Sequence, residues 1–172
     1  DGTVVTPDIA IDRVYASGAD GLMAVPVSKL TSAAVLQQEA DAPIGAPAVV
    51  LLAASYGLLV SVGAILEDAL AFGRAAWRYD DIRDAYGDAV LRSWTVEAGK
   101  RTPFVSEKLG ALMSPADVMG TLGNPSGLKP GTAVFIGHPA GLGESLPADR
   151  FGVALEIGDR VLSYEVEIEA LG

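Results

Sequence analysis

The hydrophobic pattern of the chain is dominated by residues 42–66, where twenty-five consecutive positions carry no charge. As a helix, this run would be long enough to cross a membrane. However, prolines and glycines interrupt it, and acidic rather than basic residues flank it, unlike a typical membrane helix. The pattern instead predicts two strands, residues 48–54 and 58–62, joined by a tight turn at residues 55–57. Because nearly every position is apolar, we expect both faces of this hairpin to be buried.

Short strands also dominate the predictions for the rest of the chain. Strands are predicted at residues 3–15 (one or two strands), 89–96, 102–105, 132–137, 151–157 and 160–168, with the last two joined by a hairpin turn at residues 158–159. Residues 67–77 are compatible with a helix, and residues 28–38 with a short helix or a turn. The clearest helix is residues 114–122, where Ser114 is the N-cap, Pro115 takes the first helical position and Asp117 completes a capping-box pattern.

These elements predict a single domain of the α+β class that is mostly β. The chain has 172 residues, an ordinary length for one domain, and we find no internal repeat and no linker that would divide residues 1–172. The 20 glycines and 10 prolines are spread along the chain, as expected for a strand-rich domain with many turns.

The charge and composition exclude several classes of function. With 22 acidic against 12 basic residues the net charge is -10, and no basic patch is visible, so we expect no nucleic-acid or membrane partner. The chain has no cysteine, which excludes disulfides and thiolate sites. The first residues lack the basic and apolar regions of a signal peptide, and a cytoplasmic location is therefore expected.

A few side chains are candidates for chemistry, each with a structural alternative. His138, the only histidine, lies in a Gly/Pro loop after a buried strand, where it could be functional or simply bonded within the loop. Glu67 and Asp68 could supply a general base, or could favour the dipole of a helix N-terminus. Tyr56 and Trp94 could line a cavity or belong to the core.

The order of several motifs resembles that of a known family. Residues 128–143 read LKPGTAVFIGHPAGLG, which resembles the PGDVIATGTPAGVG-like segment of the fumarylacetoacetate hydrolase superfamily. Residues 76–82 (AWRYDDI), 91–94 (LRSW) and 114–117 (SPAD) are similar to a short bacterial branch of that superfamily without an assigned activity. The resemblance implies a mixed β-roll with few short helices, and usually a homodimer.

The resemblance also implies a metal site, which this chain does not retain. Active members hold Mg²⁺ or a similar ion with the two carboxylates of an E-x-E strand and a downstream Asp, and they act on oxo acids. The E-x-E positions fall on Ala46 and Ala48, and the Asp segment falls on residues 63–66, which include Ile65. Since no acid occurs anywhere in residues 42–66, we expect no metal and no cofactor at these positions.

Three functions remain open. The first is a metal-independent enzyme that holds an apolar small molecule in a hydrophobic pocket for cyclisation, isomerisation or pericyclic closure in secondary metabolism. The second is a catalytically silent homologue with a structural or regulatory role, and the third is a metal-dependent hydrolase or decarboxylase with ligands elsewhere. For the first function, the predicted catalytic residues are His138, Glu67 and Asp68, and the predicted substrate-binding residues are Ala46, Ala48, Tyr56, Ile65, Trp94, Gly137 and Pro139.

Overall fold

The chain folds mostly into strands, with two short α-helices among the residues described. A computed structural model describes residues 4–5, 9–18, 21–31, 35–39, 46–66, 69–122, 128–138 and 149–171. The strands are β1 (Val4–Val5), β2 (Arg13–Gly18), β3 (Gly21–Val25), β4 (Leu30–Thr31), β5 (Val35–Glu39), β6 (Ala46–Ala54), β7 (Gly57–Ile65), β8 (Leu70–Phe72), β9 (Ala76–Arg78), β10 (Val90–Glu97), β11 (Lys100–Lys108), β12 (Thr132–Gly137), β13 (Arg150–Ile157) and β14 (Arg160–Leu171). The helices are α1 (Tyr79–Ile82) and α2 (Pro115–Thr121). Short 3₁₀ segments lie at Val27–Lys29, Arg83–Asp88 and Leu109–Ala111. This confirms the predicted fold class.

Two mixed sheets contain these strands. The described part of the first sheet has nine strands in the order β1-β9-β7-β6-β12-β2-β3, with β8 pairing to β7 and to β4. The second sheet has the order β11-β10-β13-β14-β5. Most neighbouring strands are antiparallel, whereas β2 with β12, β4 with β8 and β5 with β14 are parallel.

The β6–β7 hairpin lies at the centre of the first sheet and has core on both faces. Every residue of β6 is buried, and the turn consists of Ser55 and Tyr56, which confirms the predicted hairpin and its burial. Alternate side chains of β6 therefore enter different cores. Val49 and Leu51 join the core between the two sheets, which also contains Phe151 and Leu155 of the second sheet. The opposite face packs a core of first-sheet residues, including Val50, Leu52 and Phe135.

Helix α2 begins where its capping motif predicts. The Ser114 side chain accepts a hydrogen bond from the Asp117 backbone N–H at 3.1 Å, and the Asp117 carboxylate accepts one from the Ser114 N–H at 3.2 Å. Both bonds satisfy donors that the first helical turn leaves open. Among the described residues, no helix is long and apolar enough to cross a membrane.

The helix expected at residues 67–77 is wrong. The described residues of this segment form β8 and β9, which both pair with β7, and Ala71 and Trp77 are buried there. Pairing with a buried neighbour strand outweighs the helical propensity of an alanine-rich segment. The short helix or turn expected at residues 28–38 is also replaced. A 3₁₀ segment at Val27–Lys29 is followed by strands β4 and β5 instead.

Candidate functional site

Four residues predicted to bind substrate, or to replace metal ligands, lie together at one end of the β6–β7 hairpin. Ala46 pairs directly with Ile65 across the hairpin, and Ala48 pairs with Gly137 of β12. A Cβ atom built on Gly137 would lie 2.7 Å from Cδ1 of Ile65 and 3.4 Å from Cβ of Ala46. We call these four residues the apolar floor. Ala46 and Ala48 are fully buried, whereas Ile65 is partly exposed, so the floor reaches the surface at Ile65.

Backbone hydrogen bonds hold the end of β12 against this floor. The N–H of Gly137 donates to Oγ of Ser17 on β2 at 2.7 Å, and the N–H of His138 donates to the carbonyl oxygen of Pro47 at 3.0 Å. A serine side chain thus replaces a ladder hydrogen bond where the pairing of β2 with β12 has ended. Sequence patterns alone did not indicate this role for Ser17, because it depends on a contact between distant segments.

The His138 side chain is directed away from the floor, towards the second sheet. Its Nε2 lies 3.7 Å from Oε2 of Glu107 on β11, and its side chain is only 16% exposed. Gly137, in contrast, lies beside Ile65, which packs against the core on the opposite side of the first sheet. The pair links the end of β12 to the edge strand of the second sheet. No local pattern indicated Glu107, because 31 residues separate it from its partner.

The floor does not fit a divalent metal ion. Magnesium binds through oxygen ligands with near-ideal octahedral geometry. The side chains of Ala46, Ala48 and Ile65 offer no oxygen, nitrogen or sulfur atom, and Gly137 has no side chain. Within the residues that the structure describes, no group of three or more His, Asp or Glu residues could hold a metal elsewhere. No step of the chemistry proposed below therefore involves a metal.

The structure does not bring Tyr56 to the floor. Tyr56 is in the β6–β7 turn with 61% of its surface exposed, at the opposite end of β6 and about 27 Å from Ala46 at the rise of an extended strand. It borders two open clefts of about 250 and 230 Å³ instead.

Trp94 also lies elsewhere, on the second sheet. Its indole ring packs directly on Gly152, its Nε1–H donates to Oε2 of Glu165 at 2.9 Å, and the guanidinium of Arg101 lies 4.4 Å from the ring centroid. Trp94 therefore belongs to a network of contacts on the second sheet, which accounts for the aromatic side chain at this position. Three further predicted site residues, Glu67, Asp68 and Pro139, lie outside the described residues and stay predictions.

Solved structures identify the class of fold. The structure is similar to 2-keto-3-deoxyarabinonate dehydratase, with a TM-score of 0.67 and 12% identity over 95% of this chain and 76% of that chain. It is also similar to a candidate fumarylacetoacetate isomerase/hydrolase from Oleispira antarctica, with a TM-score of 0.63 and 14% identity over 92% of this chain and 94% of that one. A candidate isomerase from Escherichia coli has a TM-score of 0.58 at 14% identity, over 93% and 94% of the two chains. The chain therefore has the fold of the fumarylacetoacetate hydrolase superfamily, as its motifs indicated.

The sequence itself identifies the family within that fold. A family model described as "Protein of unknown function (DUF2848)" matches residues 64–168, which is more than half of the chain, and the chain belongs to this family. A search of curated proteins found no match.

Proposed function

We propose that this chain is a metal-independent enzyme that binds an apolar small molecule at the apolar floor. The observation that carries the proposal is the convergence of Ala46, Ala48 and Ile65 on one face at one end of the β6–β7 hairpin. By the resemblance of the motifs, Ala46 and Ala48 take the positions of the two E-x-E carboxylates, and Ile65 lies in the segment of the downstream Asp. The fold thus keeps its scaffold while the side chains now favour apolar contact over a charged ligand.

The reaction proposed is an isomerisation, a cyclisation or a pericyclic closure. Such reactions gain rate when an enzyme holds a flexible substrate in its reactive shape, and they need little proton transfer. This suits the floor, because its described side chains contain no titratable group. His138 is held by Glu107 at the neighbouring strand end, where it would contact only a substrate that extends past Gly137.

The comparison with one solved relative supports a change of substrate. A structure of 2-keto-3-deoxy-D-arabinonate dehydratase with this fold is described as complexed with magnesium and 2,5-dioxopentanoate, at 13% identity and a TM-score of 0.64. That ligand carries a carboxylate and two carbonyl groups. A floor of aliphatic side chains would leave such polar groups without partners, which costs binding energy. We therefore propose an apolar substrate rather than an oxo acid.

Binding of 2-naphthol, a fluorescent phenol with a large apolar ring system, tests the proposal. The variant Ile65→Asp places a charge on the floor, and Val161→Asp places the same charge at an exposed strand position of the second sheet. We expect the wild type and Val161→Asp to bind 2-naphthol equally in fluorescence titrations, with or without EDTA, and Ile65→Asp to bind at least tenfold more weakly. Circular dichroism of both variants controls for folding. Equal binding by both variants would refute the floor as the binding site.

The second candidate is a catalytically silent homologue, and the close packing of Ile65 favours it. Cδ1 of Ile65 lies against Gly137 and occupies space that a ligand would need. In that case the wild type would not bind 2-naphthol, whereas Ile65→Ala, which opens the space, would. A stable complex with an active paralogue would also support the silent role.

Two further expectations stay predictions with direct tests. Tight stoichiometric binding of Mg²⁺ or Mn²⁺ in calorimetry would revive a metal-dependent hydrolase whose ligands lie outside the floor. The homodimer that the resemblance implies is tested by sedimentation velocity, in which a monomer at micromolar concentration would contradict it.

A further inference from the structure

A small polar cavity lies at the start of β2 and β12, away from the apolar floor. The two strands are parallel, and Arg13 pairs directly with Thr132, so both side chains project from the same face. The backbone N–H groups of Asp12 and Arg13 both donate to the carbonyl oxygen of Gly131, at 2.9 and 3.3 Å, and fix this end of the pairing. Ser17, which supports the floor, is four residues further along β2, or about 13 Å away.

The lining of this cavity is basic. Its volume is about 260 Å³, and the residues that line it are Arg13, Tyr15, Leu122, Leu128, Lys129 and Thr132. Among these are two cations and two hydroxyl groups, and no described residue of the lining is acidic. The cavity has two cations among its described lining residues, although the chain has 22 acidic and only 12 basic residues.

One guanidinium nitrogen at this site lacks a partner. Nη1 of Arg13 is buried and has no hydrogen-bond partner among the described residues. The Asp12 carboxylate lies 3.6 Å from the other terminal nitrogen, Nη2, and the side chains of Arg13 and Asp12 are 38% and 65% exposed. A buried donor without an acceptor is unfavourable, and a native structure normally supplies the acceptor.

We propose that this cavity binds an oxyanion, namely a phosphate or carboxylate group of a small molecule. The planar guanidinium of Arg13 donates through Nη1, Lys129 contributes a second positive charge from the rim, and the buried Thr132 hydroxyl is a third donor. The apolar side chains of Leu122 and Leu128 reduce competition from water at one side. The site does not depend on the apolar floor and stands if the proposed function fails.

The test uses inorganic phosphate and acetate as separate ligands, with sodium chloride at matched ionic strength as the reference. Thermal unfolding and calorimetry are compared for the wild type, Arg13→Gln, Lys129→Gln and the control Arg92→Gln, which removes the same charge from the second sheet. We expect phosphate or acetate to raise Tm beyond chloride, and Arg13→Gln to weaken binding about tenfold or more, as expected for a lost charge-assisted hydrogen bond. Lys129→Gln should weaken it less, and Arg92→Gln should not change it.

The two ligands separate the two sources of the oxyanion. A stronger response to phosphate assigns a phosphate group, and a stronger response to acetate assigns a carboxylate. If neither ligand stabilises the protein more than chloride does, or if Arg13→Gln and Arg92→Gln respond equally, the proposal is wrong. If Arg13→Gln does not fold, the exposed Lys129 decides the test, because binding that is unchanged in Lys129→Gln would overturn the proposal.

Discussion

The packing of Ile65 on Gly137 decides whether the apolar floor is open or filled. A double-mutant cycle measures the coupling energy between these two residues. In Gly137→Ala the new Cβ would lie 2.7 Å from Cδ1 of Ile65, a separation that real Cβ atoms essentially never show. The other neighbours, Ala46 at 3.4 Å and Ser17 at 3.6 Å, accept a methyl group without moving. Ile65→Val removes only the clashing methyl group. The clash therefore depends on one atom, which the second substitution deletes.

The expected magnitude follows from opposing terms. Replacing glycine by alanine at a compatible backbone position stabilises by about 0.4–1 kcal/mol through the unfolded state. Forcing the Ile65 side chain away from its preferred rotamer costs about 0.5–1.5 kcal/mol. This is near the low end of the cost of overpacking a core, because the side chain is partly exposed and has room to move. Gly137→Ala alone should thus be neutral to destabilising by about 1 kcal/mol, whereas in the Ile65→Val background it should stabilise. The coupling energy between the two sites should be about 1 kcal/mol.

Urea unfolding of the four proteins measures this coupling. Circular dichroism follows the transition, and an unchanged dependence on urea concentration confirms that only stability has changed. A coupling near zero would mean that the Ile65 methyl group does not rest on Gly137. The floor would then be open in solution, which would remove the observation that favours the silent homologue.

Three further predictions concern stability. Gly152→Ala would place Cβ 2.1 Å from Cε2 of Trp94 and displace the indole ring. We expect this clash to lower the free energy of unfolding in urea by about 1–3 kcal/mol, and the loss to disappear in a Trp94→Ala background. A loss that remains in that background would exclude the clash as its cause. Burial, and then the neighbouring tyrosine, raise the pKa of Tyr86, whose hydroxyl has no hydrogen-bond partner among the described residues. The unfolded state therefore releases this proton at lower pH than the folded state, and the stability of the protein falls as pH rises above 10.0. Tyr86→Phe should be at least as stable as the wild type at neutral pH. In urea titrations at alkaline pH, the variant should lose less stability than the wild type. Ser114→Ala removes the acceptor for the Asp117 N–H and should lower the free energy of unfolding by about 1 kcal/mol. Calorimetry should then show a fall in Tm of about 2–4 °C. An unchanged Tm would show that the cap does not stabilise the protein.

The elements that could be predicted from the sequence are those with local signals. The hairpin formed by β6 and β7 follows from apolar runs around a turn, and the N-terminus of α2 follows from Ser114 and Asp117. The β13–β14 hairpin across residues 158–159 is confirmed for the same reason, and Gly158 has the positive φ of 60° that its turn requires. In each case the residues that determine the structure are neighbours in the chain.

The predictions that failed, or that stayed open, depend on distant contacts. Residues 70–72 and 76–78 form strands because the edge of β7 that does not pair with β6 is open to them, which no local pattern indicates. Trp94 was a candidate for a cavity lining or for the core, and the contact that fixes its position is with Gly152 on the neighbouring strand. The contact of His138 with Glu107 joins two sheets, so neither residue alone indicated it.

Strand geometry also bears on whether the β6–β7 hairpin could hold a metal ion. A slip of one residue in the alignment would turn β6 and β7 to their other faces, but those faces carry Val49, Leu51 and other apolar side chains of the inter-sheet core. Apart from the turn, the only polar side chain of this hairpin is Ser61, and its Oγ already donates to the carbonyl oxygens of Gly73 and Ala75 at 3.2 and 2.7 Å. No register of these two strands can therefore present a carboxylate ligand to an ion. A metal-dependent reaction would have to take its ligands from outside the hairpin, and the substitutions on the floor separate that case from an apolar site.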